Sequence, residues 1–278
     1  MTSLVALGAD VEWPDRDAVE TFRAGSVADN DRGTLRDLAE WFAGVQGDAT
    51  PKPPRRIRVI RFGFGPDAPP PATGAADIRA VETSHGDVDA ILELGTTIAD
   101  DEIDRGADLL VVAVAHRAVA AEVLIAALTG AEPVKVLPRG AALPPDVWMA
   151  RAEQVRDGRR RALPLRDSPA ELLSAIDDPD IVAATAFLLR TAARRTPMLL
   201  DGLAAAAAAL VAHNVQARAA RWWRMADASG HPAQDAVLAV FGQQAVLGLG
   251  TGMDDGTAGL LAAQVARTAV LTAIPGEV

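Results

Sequence analysis

The chain has 278 residues, half of them hydrophobic, and this length suits one large α/β domain or a domain with a smaller companion. Its formal net charge of -10 argues against nucleic acid as the main partner, because phosphate binding needs clustered cations. The absence of cysteine excludes disulfides, thiolate catalysis and cysteine-based metal sites. No basic segment of a signal peptide precedes the first apolar residues, and Asp201 interrupts the longest apolar run. We therefore expect a cytoplasmic protein that does not enter a membrane.

The N-terminal part of the chain predicts a helix followed by a strand. Between Asp31 and Gly47 the apolar residues recur three and four positions apart, as on one face of an amphipathic helix. A proline-broken connection leads to residues 56–65, where arginine alternates with isoleucine, valine and phenylalanine in the period of a strand. We expect an N-terminal helical segment over residues 1–50 and an α/β domain over residues 51–278.

Beyond a proline-rich loop, predicted strands and helices alternate. Strands are predicted at residues 76–83, 107–115, 133–140 and 197–201, and helices at residues 87–106, 118–130, 179–195 and 202–215. The strand at 107–115 is apolar on both faces, which is typical of a parallel sheet covered by helices on both sides. The expected fold is a Rossmann-like, three-layer α/β architecture with a mostly helical C-terminal portion.

In a parallel sheet, ligands bind beyond the C-terminal ends of the strands. The polar residues that follow three of the predicted strands are His116 with Arg117, Arg139 with Gly140, and Asp201 with Gly202. These pairs are candidate binding residues. The alternative is that each pair only forms the turn between a strand and the next helix.

Near its C-terminal end the chain reads GLGTGMDDGTAG, residues 248–259, and then continues with the pattern of an apolar helix. Three interpretations compete: a phosphate cradle, a helix start capped by an aspartate, and a loop that presents a catalytic carboxylate. Two adjacent carboxylates would repel a phosphate, which disfavours the cradle. No βαβ unit follows GLGTG, so a dinucleotide-binding fingerprint is excluded, and the four histidines lack metal-ligand spacing.

Three motifs together resemble one enzyme family: GADLLVV with ALTG and PRG, then RTPMLLDGLAAAAAALVAH, then GH with GLGTGMDDGTAG. From about Asp31 to Thr272 the chain is similar to the nicotinate-nucleotide:dimethylbenzimidazole phosphoribosyltransferases of cobalamin biosynthesis. These enzymes transfer phosphoribose from nicotinate mononucleotide to a benzimidazole-type base, and are usually homodimers. The resemblance thus implies a glycosyltransferase of cobalamin lower-ligand assembly, with nicotinate mononucleotide and an aromatic nitrogen base as substrates and no cofactor.

The resemblance also implies roles for individual residues. The general-base glutamate of the family falls on Asp255, whose side chain is one methylene shorter, with Asp254 as a substitute. The residues implied to contact the substrates are Arg117, Arg139, Gly140, Asp201, Gly202, Gly256 and Thr257. No metal site is implied. The alternative for the two aspartates is that one of them only caps the last helix, which contributes about 1 kcal/mol.

The chain also departs from the family pattern. The glycine- and threonine-rich loop of the family is replaced by VVAVAHRAV, residues 111–119, and a long family segment after the first strand is missing. Because that segment helps to build the base pocket, the acceptor need not be dimethylbenzimidazole. Two functions stay open: an active, shortened enzyme, and a non-catalytic paralogue that binds a ligand or pairs with an intact homologue as a regulatory or structural subunit.

Overall fold

The computed structural model describes residues 3–25, 33–72, 77–115, 117–138 and 143–273. Five strands form one parallel sheet in the order β2-β1-β3-β4-β5. The strands are β1 (Ile57–Phe62), β2 (Asp77–Val81), β3 (Leu109–Val114), β4 (Met198–Asp201) and β5 (Trp223–Met225). The helices are α1 (Leu4–Ala9), α2 (Arg16–Gly25), α3 (Thr34–Gln46), α4 (Val88–Asp104), α5 (Ala118–Thr129), α6 (Pro145–Ala162), α7 (Pro169–Ile176), α8 (Pro179–Ala193), α9 (Leu203–Val215), α10 (Pro232–Phe241) and α11 (Thr257–Ala273).

Helices cover both faces of this sheet, which confirms the expected three-layer α/β fold. On one face, α8 packs against α4 and α9, and the ring of Phe187 in α8 meets Phe62 of β1 edge-on at 5.6 Å. On the other face lies α11, backed by α3. Because successive side chains of a strand point to opposite faces, Phe62 marks the α8 face, and Val59 and Arg61 belong to the α11 face.

The central strands and one helix are almost wholly apolar, as their burial requires. All six residues of β3 and all four of β4 are buried. In α9, ten consecutive residues from Leu203 to Ala212 are buried, and most are alanine, whose small side chain lets the helix lie close to its neighbours. The strand predicted at 107–115 and the unit at 197–215 are therefore confirmed.

One part of the predicted pattern is wrong. The strand expected at 133–140 is a 3-10 helical turn at Pro133–Lys135, and the described chain continues to Pro138 without a strand. Pro133 and Pro138 lack backbone N–H donors, which disfavours a strand inside a sheet. The C-terminal portion is mostly helical, as expected, and residues 223–225 add the short strand β5 beside β4.

The N-terminal helices share the core of the sheet domain. Leu4 of α1 and Leu38, Phe42 and Val45 of α3 are buried in the same apolar cluster as the strands. A separate unit at residues 1–50 stays a prediction. Within the described ranges, no helix is long and apolar enough to cross a bilayer.

Candidate active site

The strand order reverses between β1 and β3, so the crevice of this sheet is expected at the C-terminal ends of those strands. Three residues share one row there: Arg61 of β1 is paired with Ala113 of β3, which is paired with Asp201 of β4. Two strand spacings separate Arg61 from Asp201, about 10 Å between their backbones. Ala113, whose side chain is small, therefore lies between a cation and a carboxylate on the α11 face.

The start of α11 lies directly on this row because two of its residues are glycine. A Cβ atom at Gly256, whose φ is +98°, would lie 2.8 Å from Cγ1 of Val59. A Cβ atom at Gly259 would lie 2.2 Å from Cγ1 of Val111. Both contacts are too short for a real side chain, so the glycines allow the helix N-terminus to touch β1 and β3.

Asp201 is held by the first turn of that helix. The amide of Gly259 donates to its Oδ2 at 3.2 Å, and the residue is only 3 % exposed. Burial raises the pKa of Asp201 to about 6, and the negative charges of Asp254 and Asp255 add to the rise. Asp201 therefore exchanges a proton close to neutral pH.

Asp255 has one carboxylate oxygen engaged and one available. Its Oδ1 accepts from the amide of Thr257 at 2.8 Å and so caps the start of α11. Its Oδ2 has no hydrogen-bond partner among the described residues, and the side chain is partly exposed. Capping and catalysis, the two roles weighed for this loop, are therefore compatible in the same residue.

Asp254 occupies a different environment from its neighbour. It is buried, has a φ of +52°, and packs against Gly202 at the end of β4. A Cβ atom at Gly202 would lie 2.4 Å from Oδ1 of Asp254, and Gly202 itself has a φ of +92°. The glycine at 202 is thus required by Asp254 and by the local backbone. The burial of Asp254 favours Asp255 as the base.

Arg61 is the residue of this site that the sequence did not reveal. It is 2 % exposed, lies over the ring of Phe64 with 4.0 Å to the centroid, and donates from Nη1 to the carbonyl oxygen of Pro69 at 2.9 Å. Its Nε has no hydrogen-bond partner in the described structure. Burial lowers the pKa of Arg61, and the charge of Asp255 opposes that shift. A buried guanidinium therefore stands beside the candidate base with unused donor capacity.

Comparison with known proteins assigns this arrangement to a family. A family model for phosphoribosyltransferases matches residues 73–274. The nicotinate-nucleotide–dimethylbenzimidazole phosphoribosyltransferase of Streptomyces avermitilis is 30% identical over 95% of this chain and 88% of its own length. The protein of the same name from Mycobacterium avium is 31% identical over 86% of this chain and 85% of its own length. The chain belongs to the nicotinate-nucleotide:dimethylbenzimidazole phosphoribosyltransferase family.

The fold agrees with that of a solved family member. The structure of the nicotinate-nucleotide–dimethylbenzimidazole phosphoribosyltransferase from Thermus thermophilus has a TM-score of 0.77, with 20% sequence identity over 92% of this chain and 95% of the other. The alignment with the Streptomyces avermitilis protein extends over 329 residues, whereas this chain has 278. That relative therefore carries residues within the matched region that this phosphoribosyltransferase homologue lacks.

The predicted phosphate ligand Arg117 lies on the other face of the sheet. Its Nε and Nη2 donate to Oδ2 of Asp180, at the start of α8, at 3.1 and 2.7 Å. Thr83, which follows β2, donates to Oδ1 of the same carboxylate. A substrate phosphate would have to compete with Asp180 for Arg117, whose role in binding stays a prediction. His116, Arg139 and Gly140 lie outside the described residues.

The glycine-rich loop before Asp254 is anchored by a residue that sequence analysis missed. The carboxylate of Asp227, just after β5, accepts from the amides of Leu249 and Thr251, both at 2.7 Å, and from the hydroxyl of Thr251 at 2.9 Å. Burial opposes ionisation of Asp227, but these hydrogen bonds outweigh it and lower its pKa. The amides that a phosphate cradle would need are therefore already occupied, which supports the rejection of that interpretation.

Two further family-like residues have structural contacts. Arg151 of α6 forms two hydrogen bonds of 2.7 Å to the buried Glu122 of α5. His231 accepts from the amide of Ala233 through Nδ1, and its Nε2 lies 3.2 Å from Oε1 of Glu122. His231 thus caps the start of α10 and contacts α5, which is a structural role. Within the described residues, no group of three or more histidine, aspartate and glutamate side chains could hold a metal ion.

Proposed function

We propose that this protein transfers phosphoribose from nicotinate mononucleotide to an aromatic nitrogen base, with Asp255 as the general base. The observation that carries the proposal is the state of the Asp255 carboxylate. One oxygen is fixed by the helix it caps, and the other is available at the C-terminal edge of the sheet. A base whose orientation is fixed in this way needs no rearrangement before it accepts a proton.

The reaction requires one proton transfer and one exchange of bonds at C1′ of the ribose. The free ring nitrogen of an imidazole-type acceptor forms a bond to C1′, and the bond from C1′ to the nicotinate nitrogen breaks, with its electron pair moving to that nitrogen. Asp255 takes the proton from the other ring nitrogen of the acceptor. The products are nicotinate and the new nucleotide. Asp255 then returns the proton to solvent, because its side chain is partly exposed.

Two neighbours fit this chemistry by charge. Arg61 is a buried cation with an unused Nε, and nicotinate mononucleotide carries two anionic groups, a phosphate and a carboxylate. We assign Arg61 to one of these groups, in place of the amide loop that this chain lacks. Asp201 adds a second carboxylate within electrostatic range of Asp255, and its negative charge would stabilise the positive charge that develops on C1′.

The loop before Asp255 also offers apolar surface. Leu249 and Met253 are large apolar side chains that stay 62% and 51% exposed. An aromatic base would cover such side chains and remove their surface from water. The resemblance implies that the missing family segment helps to build the base pocket, so we expect the preferred acceptor to be an azole other than dimethylbenzimidazole.

The test is release of nicotinate by the purified protein. We expect turnover with nicotinate mononucleotide and at least one member of a panel of benzimidazoles, imidazoles and purines, followed by chromatography. Calorimetry with nicotinate mononucleotide alone measures binding separately. Binding without turnover would favour the non-catalytic subunit. The absence of both binding and turnover would refute the proposal for this chain.

Lengthening the candidate base gives a second test. Asp255→Glu adds one methylene and extends the carboxylate by about 1 Å, to the length of the family glutamate. We expect the turnover rate to rise severalfold, with unchanged affinity for nicotinate mononucleotide. A fall in rate to the level of Asp255→Asn would show that the site is built around the shorter side chain.

The assembly and location of the protein belong to the same proposal. The resemblance supports a homodimer or a pair with an intact homologue, and a cytoplasmic location. Sedimentation velocity of the purified chain, alone and mixed with such a homologue, measures the oligomeric state. Fractionation of cells that express the tagged chain measures its location.

A further inference from the structure

A second cavity lies away from the row of Arg61 and Asp201. It is an open cleft with a volume of about 770 Å³, within the range of small-molecule sites, and is lined by residues of α2, α3, β5 and the segment after α10. None of the candidate active-site residues lines it. Its charged and aromatic lining includes Trp13, Trp41, Arg221 and Arg224.

Arg224 is the central cation of this cavity. Its guanidinium lies over the ring of Trp41 at 5.0 Å from the centroid, and its Nη1 donates to the carbonyl oxygen of Trp223 at 3.1 Å. Trp41 is itself fixed, because its Nε1 donates to the carbonyl oxygen of Arg221 at 2.9 Å. The arginine is therefore held by a ring and a carbonyl, with donors left for a ligand.

Arg224 has no carboxylate within ion-pair distance among the described residues. Burial lowers the pKa of Arg224 to about 10, and the positive charge of Arg221 contributes to the shift. It is still charged at neutral pH. The acids of the cavity face other groups: Glu40 pairs with Arg23 and Arg36, and Asp15 caps α2. Glu20 and Asp37 also line the cavity without an ion pair to Arg224, and the negative charge of Asp37 acts against the effect of burial on the pKa of Arg224.

Trp13 supplies a second kind of recognition. Its side chain lines the cavity with the guanidinium of Arg16 over its ring, 5.5 Å from the centroid, and stays 48% exposed, although an indole is among the costliest side chains to leave in water. A planar ring stacked on Trp13 would cover it, and an anionic group on that ring would reach the two arginines. An aromatic carboxylate and a nucleotide phosphate share this chemistry.

We propose that this cavity is a second binding site, separate from the catalytic row, for a small molecule that joins an anionic group to a planar aromatic ring. Arg224 and Arg221 bind the anion, and Trp13 stacks on the ring. The proposal does not depend on phosphoribosyl transfer and stands if the chain proves inactive.

The test uses benzoate, adenosine monophosphate and inorganic phosphate as probes, with binding followed by calorimetry and by quenching of tryptophan fluorescence. We expect saturable binding of benzoate or adenosine monophosphate, at least tenfold tighter than of phosphate. Arg224→Gln and the exposed Arg221→Gln should each weaken it tenfold or more, because a charge-assisted contact is lost. Trp13→Phe should remove most of the quenching. Arg23→Gln, a cavity arginine already paired with Glu40, is the matched control and should change affinity less than twofold.

Three results would overturn the proposal. The first is the absence of saturable binding by all three probes. The second is wild-type affinity in Arg221→Gln and in a folded Arg224→Gln protein, as judged by circular dichroism. The third is a loss of binding in Arg61→Gln while both cavity variants bind the probe as the wild type does, which would place the probe in the catalytic row.

Discussion

The two faces of the sheet use the same residue types at the same edge and arrange them differently. On the α8 face, Arg117 and Thr83 both donate to the carboxylate of Asp180, so cation, hydroxyl and anion satisfy one another. On the α11 face, Arg61 and Asp201 are held two strands apart by Ala113. The first arrangement is closed and the second leaves charged groups available.

This difference separates stability from function. A buried ion pair resists the loss of either partner, because removal leaves an uncompensated charge. Charged groups that are buried without a partner cost stability instead, and their retention indicates a role in binding or catalysis. Substitutions on the α8 face should therefore reduce stability, whereas those on the α11 face should reduce turnover and leave the fold intact.

Asp255→Asn should have the largest effect. The amide oxygen still caps α11, but the side chain no longer accepts a proton, so kcat should fall about 10² to 10⁴-fold, the usual contribution of a general base. The KM for nicotinate mononucleotide should change less than about threefold, because Asp255 acts on the acceptor. Steady-state release of nicotinate measures both constants.

The matched control for Asp255 is Asp146→Asn. Asp146 is an exposed aspartate in the first turn of α6, where no side chain caps the helix. It should leave kcat and the free energy of unfolding unchanged. Equal activity in Asp255→Asn and Asp146→Asn would show that the candidate base takes no part in the reaction.

Asp201→Asn should raise stability while it lowers activity. The pKa of Asp201 is about 6 in the folded protein and about 4 when unfolded, so the folded state binds the proton more tightly. The free energy of unfolding therefore falls as pH rises from about 4 to 6, by about 3 kcal/mol in total. Asparagine at position 201 does not titrate, so the variant lacks this pH-dependent loss of stability. Its side-chain oxygen can still accept from the amide of Gly259.

Urea unfolding at pH 4 and pH 8 measures the Asp201 effect. The variant should match the wild type at pH 4, where Asp201 is protonated, and should exceed it by about 2 to 3 kcal/mol at pH 8. The same stability difference at both pH values would exclude a titrating Asp201. Unchanged turnover in the stabilised variant would remove Asp201 from the site.

Asp180→Asn tests the closed face. The new amide carries no charge, and with its N–H group in the place of Oδ2 the ion pair and both hydrogen bonds from Arg117 are lost. Because the side chain of Arg117 is about half exposed, we expect a loss of about 2 kcal/mol, less than for a fully buried pair. Turnover per folded molecule should be unchanged. A fall in the affinity for nicotinate mononucleotide would instead support phosphate binding by Arg117.

The sequence was sufficient to predict the layers of this fold. The apolar runs at 107–115 and 197–201 indicate strands that are buried on both faces. The helices predicted between the strands provide the crossovers that parallel strands need. The short strand β5 was not predicted, because three residues are too few to show the alternating pattern of a strand. The strand expected at 133–140 is wrong because three apolar residues between two prolines fit a turn equally well.

The site was only partly predictable, for a geometric reason. Asp201 and Asp255 follow from a strand end and a helix start, which are local features. The place of Arg61 depends on which face each alternating arginine of β1 occupies, and that is set by the register with β3. The partner of Arg117 is Asp180, 63 residues away, and no local pattern connects them. An inward-facing arginine in the last two residues of a parallel strand is the signal that would have identified Arg61.

Thr257 should show the smallest effect, and it tests whether all of the α11 face is functional. Its hydroxyl accepts from the amide of Ala72 at 3.1 Å, which joins the proline-rich loop to the start of α11, and the residue is buried. Thr257→Val should therefore cost about 1 kcal/mol, the worth of one neutral hydrogen bond, with Thr257→Ser as the rescuing control. If Thr257 has only this structural contact, the KM for nicotinate mononucleotide should stay within about twofold in both variants. A KM that rises at least tenfold in Thr257→Val and recovers in Thr257→Ser would show instead that the hydroxyl binds substrate, as the family resemblance implies, and would extend the functional surface from Asp255 into the first turn of α11.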